Sequence, residues 1–497
     1  MMKSMFSYEY FLNQLLYDEK NPLLFNTGFF IYFFVAFICC YYFLRNKLIG
    51  RSIVVSIFSL YFFYKASGNF VILVIASSII DFILSNIIYN QKNTLHKKIT
   101  LGISIVANLS LLIYFKYTNL FISIINEYMN GHFHLLNIIL PVGISFYTFE
   151  NISYIIDVYK GEFIPEKKYI NYLLFLSFFP KLVMGPIVRA KDFIPQLYKP
   201  FHLDYKDFTK GYYLILTGLF KKLIISDFLT LNYVNYIFDD PSRYSGFENV
   251  IGVFCYAIVI YCDFSGYSDI AIGIAKWLGI NIPKNFDSPY KSKNISEFWK
   301  RWHISLSLWL KDYLYITALG GNRRGNLRTN INLLATMILG GLWHGGSINF
   351  VIWGAIHGGG LIIHKTYHSI VTKFDLVLDK PIYNYISIII TFFFVNMAWI
   401  FFRTENLHTA KLMLYQIFFN FSIELIPAFL NNYKSVITMM LFAYFIHFIP
   451  ENLIEKYVLK YLHKANLIVL IIIFILFLIC YSQFKSSTPV MPIYLQF

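Results

Sequence analysis

A histidine enclosed by glycines stands where an apolar stretch ends. Residues 340–350 read GGLWHGGSINF, so His344 follows a tryptophan and lies between two glycine pairs. An imidazole titrates near neutral pH and can take a proton from a hydroxyl group, as acyl transfer to an alcohol requires. Glycines also let a ligand or another backbone approach the ring. We therefore predict a functional site around His344.

The element before His344 is expected to place it deep in a membrane. NINLLATMIL (330–339) is apolar, and a helix from Asn330 to Leu342 would rise roughly 20 Å. Because a hydrocarbon core is about 30 Å thick, the histidine should lie near or beyond its middle. Ionisable groups at that depth mark transport pathways or catalytic sites.

A second histidine follows in the most polar and aromatic stretch, residues 283–316. Asn294 and Glu297 form a capping pattern for a helix that starts near Ser296. We expect an amphipathic or re-entrant helix at the inner membrane interface. An aromatic belt would also explain its tryptophans, and a purely structural histidine is the alternative to a catalytic one. The side chains expected on one face are Trp299, Trp302, His303, Leu306 and Leu310.

Three other apolar segments are interrupted by proline, glycine or charge. They are LPVGISFYTF (140–149), FFPKLVMGPIVR (178–189) and YCDFSGYSDIAIG (261–273), the last with Asp263 and Asp269. Irregular backbone at membrane depth is tolerated only where protein or water covers it, and a carboxylate there costs at least about 2.5 kcal/mol. We expect these segments to line an interior cavity. Helix kinks with polar contacts between helices are the alternative.

A basic turn separates the two histidine-bearing stretches. LGGNRRGNLR (319–328) combines glycines with Arg323 and Arg324. Cationic groups beside a cavity mouth would suit a phosphate-bearing ligand such as coenzyme A. The alternative is that they only set the orientation of the chain in the membrane.

Composition indicates what kind of molecule must position these groups. The chain has 497 residues, is 57% hydrophobic and 14% charged, and has a mean hydropathy of +0.55. Soluble proteins carry about 25% charged residues. Apolar segments near the length of a membrane span recur along the chain, so we predict an all-α polytopic membrane protein. The net charge of +15 reflects basic residues at span ends and not a nucleic-acid partner.

The distribution of basic residues predicts the orientation. Arg45, Lys47 and Arg51 follow the first span, which favours a cytoplasmic loop there and an extracytoplasmic N-terminus. The same reasoning puts the C-terminal tail outside. We expect 10 to 12 crossings, together with helices that enter without crossing. There is no zinc-type ligand spacing, G-x-S-x-G elbow or Walker loop. We interpret five cysteines in apolar runs as packing residues, namely Cys39, Cys40, Cys255, Cys262 and Cys480.

Several long motifs in order resemble the membrane-bound O-acyltransferase (MBOAT) family. Within it they are similar to the bacterial branch that O-acetylates alginate, peptidoglycan and cellulose. The resemblance covers most of the chain as one membrane domain, 1–497, with a signature core at about 140–365. The matching segments are PVGISFYTFENISYIIDVYKGE (141–162), FFPKLVMGPIVR (178–189), DFSGYSDIAIGIAKWLGI (263–280), WHISLSLWLKDYLY (302–315), GGLWHGG (340–346) and PIYLQF (492–497).

The resemblance implies a ring of tilted helices around a central tunnel in a bacterial inner membrane. It implies that His344 is the main catalytic histidine, which acts as general base or positions the acyl group. It also implies that His303 is the second histidine and lines the cytoplasmic entrance for the donor. Acetyl-CoA would be a cytoplasmic donor substrate, with no permanently bound cofactor. An SGNH-hydrolase-type partner would place the acetyl group on an extracytoplasmic polymer. The residues expected to line the tunnel are Trp302, Trp343, Asp263, Asp269 and Asn349.

Tyr494, three residues from the end of the sequence, is a candidate acyl relay. Its phenol becomes an acyl acceptor once a base removes the proton, and the branch has a similar aromatic motif there. Pro492 and Leu495 depart from that motif, and an interfacial aromatic anchor is the alternative. D-alanyl or other acyl transfer, or a non-enzymatic glycan transport or assembly scaffold, are the alternative functions.

Overall fold

The computed structural model describes residues 14–19, 22–25, 27–129, 131–374, 381–485 and 490–495. Within these residues the regular structure is entirely helical, which confirms the predicted fold class. The N-terminal charges in residues 1–13 and at residue 20, on which part of the orientation prediction depends, lie outside the described residues.

The α-helices of the described residues are numbered α1 to α23 in chain order. Their bounds are Gly28–Leu44, Leu48–Ser67, Val71–Asn90, Thr94–Leu112, Thr118–Tyr128, Ile144–Lys160, Tyr169–Ser177, Phe179–Leu182, Ala190–Leu197, Tyr205–Leu219, Asp227–Leu229, Asn235–Asp239, Gly246–Trp277, Ile295–Arg301, Ile304–Trp309, Gly325–His344, Ile348–Lys373, Pro381–Arg403, Leu407–Phe419, Ile426–Asn432, Lys434–Phe448, Glu451–Leu462 and Leu467–Phe484. Four π-helical segments interrupt this series, at Ile113–Tyr117, Phe220–Ser226, Thr230–Val234 and Leu310–Ala318.

Among the described residues, five helical segments are long and apolar enough to cross a membrane, or up to seven if each bent helix pair counts as one span. The segment Leu48–Asn90 has 43 residues and would extend about 64 Å as one helix. That is twice the hydrocarbon thickness, and Gly68, at φ 62°, interrupts it. The 10 to 12 crossings stay a prediction. The five segments are Leu48–Asn90, Thr94–Glu127, Gly246–Trp277, Ile382–Arg403 and Leu467–Phe484.

The chain divides into two compact units. The first comprises Met1–Phe208 and Ile274–Pro283. Phe179 is at the centre of its aromatic core, with ring centroids 4.8 Å from Phe58 and 5.6 Å from both Phe37 and Phe62. Such offset and edge contacts suit aromatic rings better than face-to-face stacking.

Two of the proline- and glycine-containing segments lie inside this first unit. Gly143 has φ 69°, and a Cβ there would collide with the carbonyl oxygen of Leu182. The buried side chains of Glu150 and Lys181 form an ion pair, and Glu150 also accepts a hydrogen bond from the Val188 N–H at 3.0 Å. Protein therefore covers these segments, as expected, and Glu150 and Lys181 pair with each other inside it.

The second unit comprises Thr209–Gly273 and Lys284–Phe497. Glycines allow α10 and α13 to pack closely within it, since a Cβ on Gly266 would lie 2.7 Å from the Gly218 carbonyl oxygen. Helices α16 and α17 pack in the same way, and a Cβ on Gly341 would collide with the Phe350 carbonyl oxygen. Small residues that bring backbones together are typical of helix pairs in membranes.

The cysteines divide between interior and surface. Cys255 and Cys262 are buried, as expected of packing residues, whereas Cys39, Cys40 and Cys480 are exposed. The packing prediction is wrong for these three, because apolar helices of a membrane protein also turn side chains outward. Apolar surroundings in the sequence do not separate the two cases.

Candidate active site

His344 is the last residue of α16, which begins at Gly325 and is therefore longer than predicted. Its side chain is 3% exposed. Three of the glycines around it lie against other protein atoms and do not border an open cavity. Gly341 faces the Phe350 backbone, Gly345 faces the Phe350 ring, and a Cβ on Gly340 would lie 3.0 Å from Leu310 Cδ1. The close approach expected here is thus made by neighbouring helices.

His303 lies at a break between two short helices. Asn294 caps α14 by accepting a hydrogen bond from the Glu297 N–H at 2.8 Å, which confirms the predicted helix start. The single helix expected to continue through residue 310 is wrong, because α14 ends at Arg301 and His303 adopts the left-handed conformation at φ 41°. Non-glycine residues rarely occupy this region, and active sites are among the places where they do.

Asn285 holds this break in place. Its backbone carbonyl accepts a hydrogen bond from the Ile304 N–H at 2.9 Å, and its side-chain oxygen accepts from the Ser305 N–H at 3.2 Å and hydroxyl at 2.8 Å. Its amide donates to the Ser268 hydroxyl on α13 at 3.4 Å. With these hydrogen bonds in place, the fully buried His303 ring faces α13.

The break brings His303 close to His344, and both lie close to Tyr494. The ring centroids are 6.4 Å apart for the two histidines, 5.4 Å for His344 and Tyr494, and 6.2 Å for His303 and Tyr494. The Tyr494 hydroxyl is buried and forms no hydrogen bond with any residue that the structure describes. Three polar rings predicted from separate parts of the sequence therefore share one buried space.

Aromatic side chains enclose the three rings. Trp343 lies 5.0 Å from His344 and 5.7 Å from His303, while Phe264 lies 4.3 Å from Tyr494 and 4.6 Å from His303. An apolar enclosure excludes water and strengthens the electrostatic interactions inside it. The further rings around His344 are Trp353 and Phe402, both at 5.1 Å.

The other residues predicted to line the site have different surroundings. Trp302 packs against Trp399 at 4.9 Å and Phe286 at 5.1 Å. Asn349 donates to the Thr404 carbonyl at 2.9 Å and ties the start of α17 to the end of α18. Asp269 pairs with Lys221 at 2.7 Å.

Asp263 binds the chain segment that contains Tyr494. One carboxylate oxygen contacts the Lys222 ammonium at 2.6 Å, and the other accepts the Ile493 N–H at 2.8 Å. Both side chains are buried. Asp263 thus contributes to the site through the backbone of the tail.

A cavity of about 640 Å³ opens on the second unit beside α14–α17. Ligand pockets have about this volume. Lys300, Lys311 and Lys365 line it together with His364 and His368. Trp299 lines the same cavity and packs 5.7 Å from Trp353, which in turn lies beside His344. The apolar side chains in the lining include Ile304, Leu308, Leu310, Leu333, Met337 and Leu361.

The two arginines predicted to contact a phosphate are absent from this lining. Gly320 and Gly321, at φ 86° and 61°, form the expected turn. It leaves Arg323 and Arg324 exposed, and only Asn322 of the turn contributes to the cavity. The cations that the cavity does contain come from helices and the π-helical segment Leu310–Ala318, so a search confined to basic clusters would miss them.

Two further groups near the site carry weak sequence signals. Asn285 lies in a loop with no motif of its own. His357 is fully buried among Trp353 at 4.6 Å, Trp299 at 5.2 Å and Phe298 at 6.0 Å. It falls 13 positions after His344 in an apolar run, and this position is its only indication in the sequence.

Known proteins share much of this sequence. Residues 166–404 match the model of the membrane-bound O-acyltransferase family. A peptidoglycan O-acetyltransferase of Helicobacter pylori is 36% identical over 78% of this chain and 78% of its own length. A probable alginate O-acetylase of Pseudomonas syringae is 42% identical over 63% of this chain and 59% of its own. A teichoic acid D-alanyltransferase of Bacillus subtilis is 28% identical over 55% of this chain and 71% of its own length.

Proposed function

Because the chain belongs to the membrane-bound O-acyltransferase family, we propose that it transfers acetyl from acetyl-CoA toward hydroxyl groups of a cell-envelope polysaccharide or peptidoglycan. Family membership makes it an O-acyltransferase and removes the non-enzymatic scaffold as an explanation. The observation that carries the finer proposal is the meeting of His303, His344 and Tyr494 in one buried space. The acceptor class rests on the names of the relatives.

The donor enters through the cavity lined by Lys300, Lys311 and Lys365. Ammonium groups attract phosphate oxygens as point charges, which suits the phosphates of coenzyme A. The apolar lining beyond them accepts the thioester arm. Trp299 belongs to this lining and to the aromatic contacts that lead through Trp353 to His344.

We assign His344 the role of general base, because its ring lies 5.4 Å from that of Tyr494. It takes the proton of the Tyr494 phenol, and the phenolate oxygen attacks the thioester carbonyl carbon. The carbon–oxygen bond forms, the carbon–sulfur bond breaks, and the thiolate leaves with the proton from the imidazolium. His303, whose ring lies 6.2 Å from Tyr494 and 6.4 Å from His344, orients the reacting groups. The product is an acetyl ester on Tyr494.

The second transfer takes place on the extracytoplasmic side. The arginine turn at 319–328 faces the cytoplasm, both termini face outward, and a partner of the SGNH-hydrolase type collects the acetyl group from Tyr494 and delivers it to the polymer. The ester forms at the buried hydroxyl of Tyr494, where the neighbouring aromatic rings limit the access of water.

The test uses the purified full chain with acetyl-CoA carrying an isotopic label in its acetyl group. We expect label on the C-terminal peptide by mass spectrometry, loss of that label in Tyr494→Phe and its retention in Tyr481→Phe, a tyrosine on the neighbouring helix α23. In cells, Tyr494→Phe lowers polymer acetylation. Full acetylation in cells with Tyr494→Phe would reject the relay, and unchanged acetylation with inserted His344→Ala would reject His344 as the catalytic histidine.

D-alanyl transfer is the second candidate, because a D-alanyltransferase is among the relatives. The two candidates differ in the group that they leave on the C-terminal peptide, so the same peptide distinguishes them. An acetyl ester supports the first candidate, and a D-alanyl ester formed in cells supports the second.

A further inference from the structure

The C-terminal segment reaches the two histidines where a buried carboxylate holds its backbone. Asp263 on α13 is 1% exposed and accepts the Ile493 N–H at 2.8 Å. Ile493 itself is 6% exposed. The residue after it is Tyr494. A hydrogen bond from a neutral N–H to a carboxylate in a buried place is about twice as strong as one between neutral groups.

Asp263 shares its cationic partner with a second carboxylate. Lys222 lies 2.6 Å from Asp263 and 2.9 Å from Asp227, so one cation faces two carboxylates. One lysine cannot balance two carboxylates, so a negative charge remains that the Ile493 N–H can partly offset. Lys222 belongs to the π-helical segment Phe220–Ser226. The adjacent Lys221 reaches Asp269, six residues further along α13.

Consecutive residues of α13 hold consecutive residues of the tail. Asp263 binds the backbone of Ile493, and the neighbouring Phe264 packs against the Tyr494 ring at 4.3 Å. Phe264 also contacts His303 at 4.6 Å. Two adjacent residues of α13 thus hold the tail. Asp263 fixes its backbone at Ile493, and Phe264 forms the surface against which the Tyr494 ring packs.

We propose that Asp263, paired with Lys222, is a positioning residue that anchors the C-terminal segment and thereby sets Tyr494 beside both histidines. Asp263 acts through the tail and touches none of the reacting atoms. The effect on acetyl transfer rests on the proposed function of Tyr494, whereas the anchoring of the segment does not. Loss of the anchor releases the segment and leaves the donor cavity intact, because none of the anchoring residues lines that cavity.

The first test measures the position of the tail in the full-length protein. All five cysteines are replaced and Ile493→Cys supplies a thiol that a maleimide can label. Lys222→Met is combined with Asp263→Asn, which keeps an acceptor for the N–H, or with Asp263→Leu, which does not. We expect labelling at least about tenfold faster with leucine. Glu455→Gln, which breaks the separate Lys210–Glu455 pair, serves as the control and labels like the parent.

A second thiol distinguishes release of the tail from unfolding. Ala257 is 0% exposed, and a cysteine there should stay unlabelled in every variant. If the cysteine at position 257 becomes labelled in Asp263→Leu, Ile493→Pro is used instead of that variant. Proline at position 493 removes the backbone N–H and leaves the Asp263–Lys222 ion pair unchanged. The reporter is then Met491→Cys, and Ile493→Val is the matched control. Equal labelling in Ile493→Pro and Ile493→Val overturns the anchor.

Kinetics give a readout that a general structural role would not produce. With asparagine in the Lys222→Met background, turnover should fall less than with leucine, because the amide oxygen still accepts the Ile493 N–H through a weaker, neutral hydrogen bond. With leucine, kcat should fall about tenfold while the KM for acetyl-CoA is unchanged. A parallel rise in KM contradicts a role confined to the tail. If Tyr494→Phe retains full acetylation but the labelling difference persists, the relay fails and the anchor stands.

Discussion

At the scale of single residues, the site is a small set of polar rings in an apolar enclosure. His303 and His344 are nearly inaccessible to solvent, and the Tyr494 hydroxyl is buried with them. Where water is largely excluded, it cannot replace a lost proton donor or acceptor. A change of one side chain therefore acts directly on the rate of the reaction. Two predictions belong to this scale.

His344→Gln keeps a polar side chain of similar size but cannot act as a base at neutral pH. We expect the rate of acetyl transfer from acetyl-CoA to fall about 10²- to 10⁴-fold, with the protein still folded in detergent. The control is His408→Gln, since His408 is exposed at the start of α19. Transfer within a factor of two of the parent in His344→Gln would contradict the assignment of the base.

The lysines of the cavity provide a test of the donor site. Lys300→Ala, Lys311→Ala and Lys365→Ala should each raise the KM for acetyl-CoA several-fold with little change in kcat, because each removes a charge that attracts phosphate. The effect should weaken at high salt. The comparison variant is Arg323→Ala combined with Arg324→Ala. A larger KM effect there would move the phosphate contacts back to the arginine turn.

At the scale of elements, glycine contacts hold the helix that ends in His344. Gly341 on α16 lies against the Phe350 backbone of α17, and Gly354 on α17 lies against the Met337 carbonyl of α16. Neither position has room for a methyl group. The two helices are therefore fixed at short distance on both sides of the turn that follows His344, which limits how far its ring can move.

Gly341→Ala should destabilise this helix pair by about 1–3 kcal/mol, the usual cost of overpacking. Gly359→Ala is the matched control on α17, because nothing lies within 4 Å of the Cβ that it adds. There alanine should be neutral or stabilising, as it favours helix more than glycine does. The measurement is the thermal unfolding midpoint in detergent. A lower midpoint in Gly359→Ala than in Gly341→Ala would contradict the packing argument.

Uniform apolar runs predicted their helices well, while the break at His303 had no signal. The first apolar helix was expected at about 27–44 and is Gly28–Leu44, although its 17 residues leave it outside the five membrane-spanning segments. The last was expected from residue 467 and begins at Leu467. Trp302 and His303 fit an uninterrupted helical face. Hydrogen bonds from Asn285, in a loop distant in sequence, override that local pattern. The spacing of apolar residues does not predict such tertiary contacts.

At the scale of the whole molecule, the charge pattern predicts a direction across the membrane. The site residues come from separate stretches of sequence, and the motifs named the histidines and Tyr494 in advance. The lysines of the cavity could not be chosen from the many basic residues at span ends, because only the fold determines which side chains converge.

The predicted orientation can be tested with single cysteines in a chain whose five natural cysteines are replaced. Asn69→Cys lies at an exposed turn expected outside, and Asn326→Cys lies at the exposed arginine turn expected inside. In intact spheroplasts, a membrane-impermeant maleimide should label residue 69, and residue 326 only after lysis. The opposite pattern would invert the topology, and with it the sides assigned to donor and acceptor.

The π-helical turns affect which length changes this protein can tolerate. A π turn holds one residue more than an α turn, and Phe220–Ser226 and Leu310–Ala318 place Lys222 at the tail and Lys311 in the cavity. Deleting one residue there can restore an ordinary α-helix, whereas a deletion elsewhere rotates all following side chains by about 100°. We therefore expect single-residue gaps between related sequences to gather at these turns and to alter donor preference or tail attachment without disturbing the flanking helices.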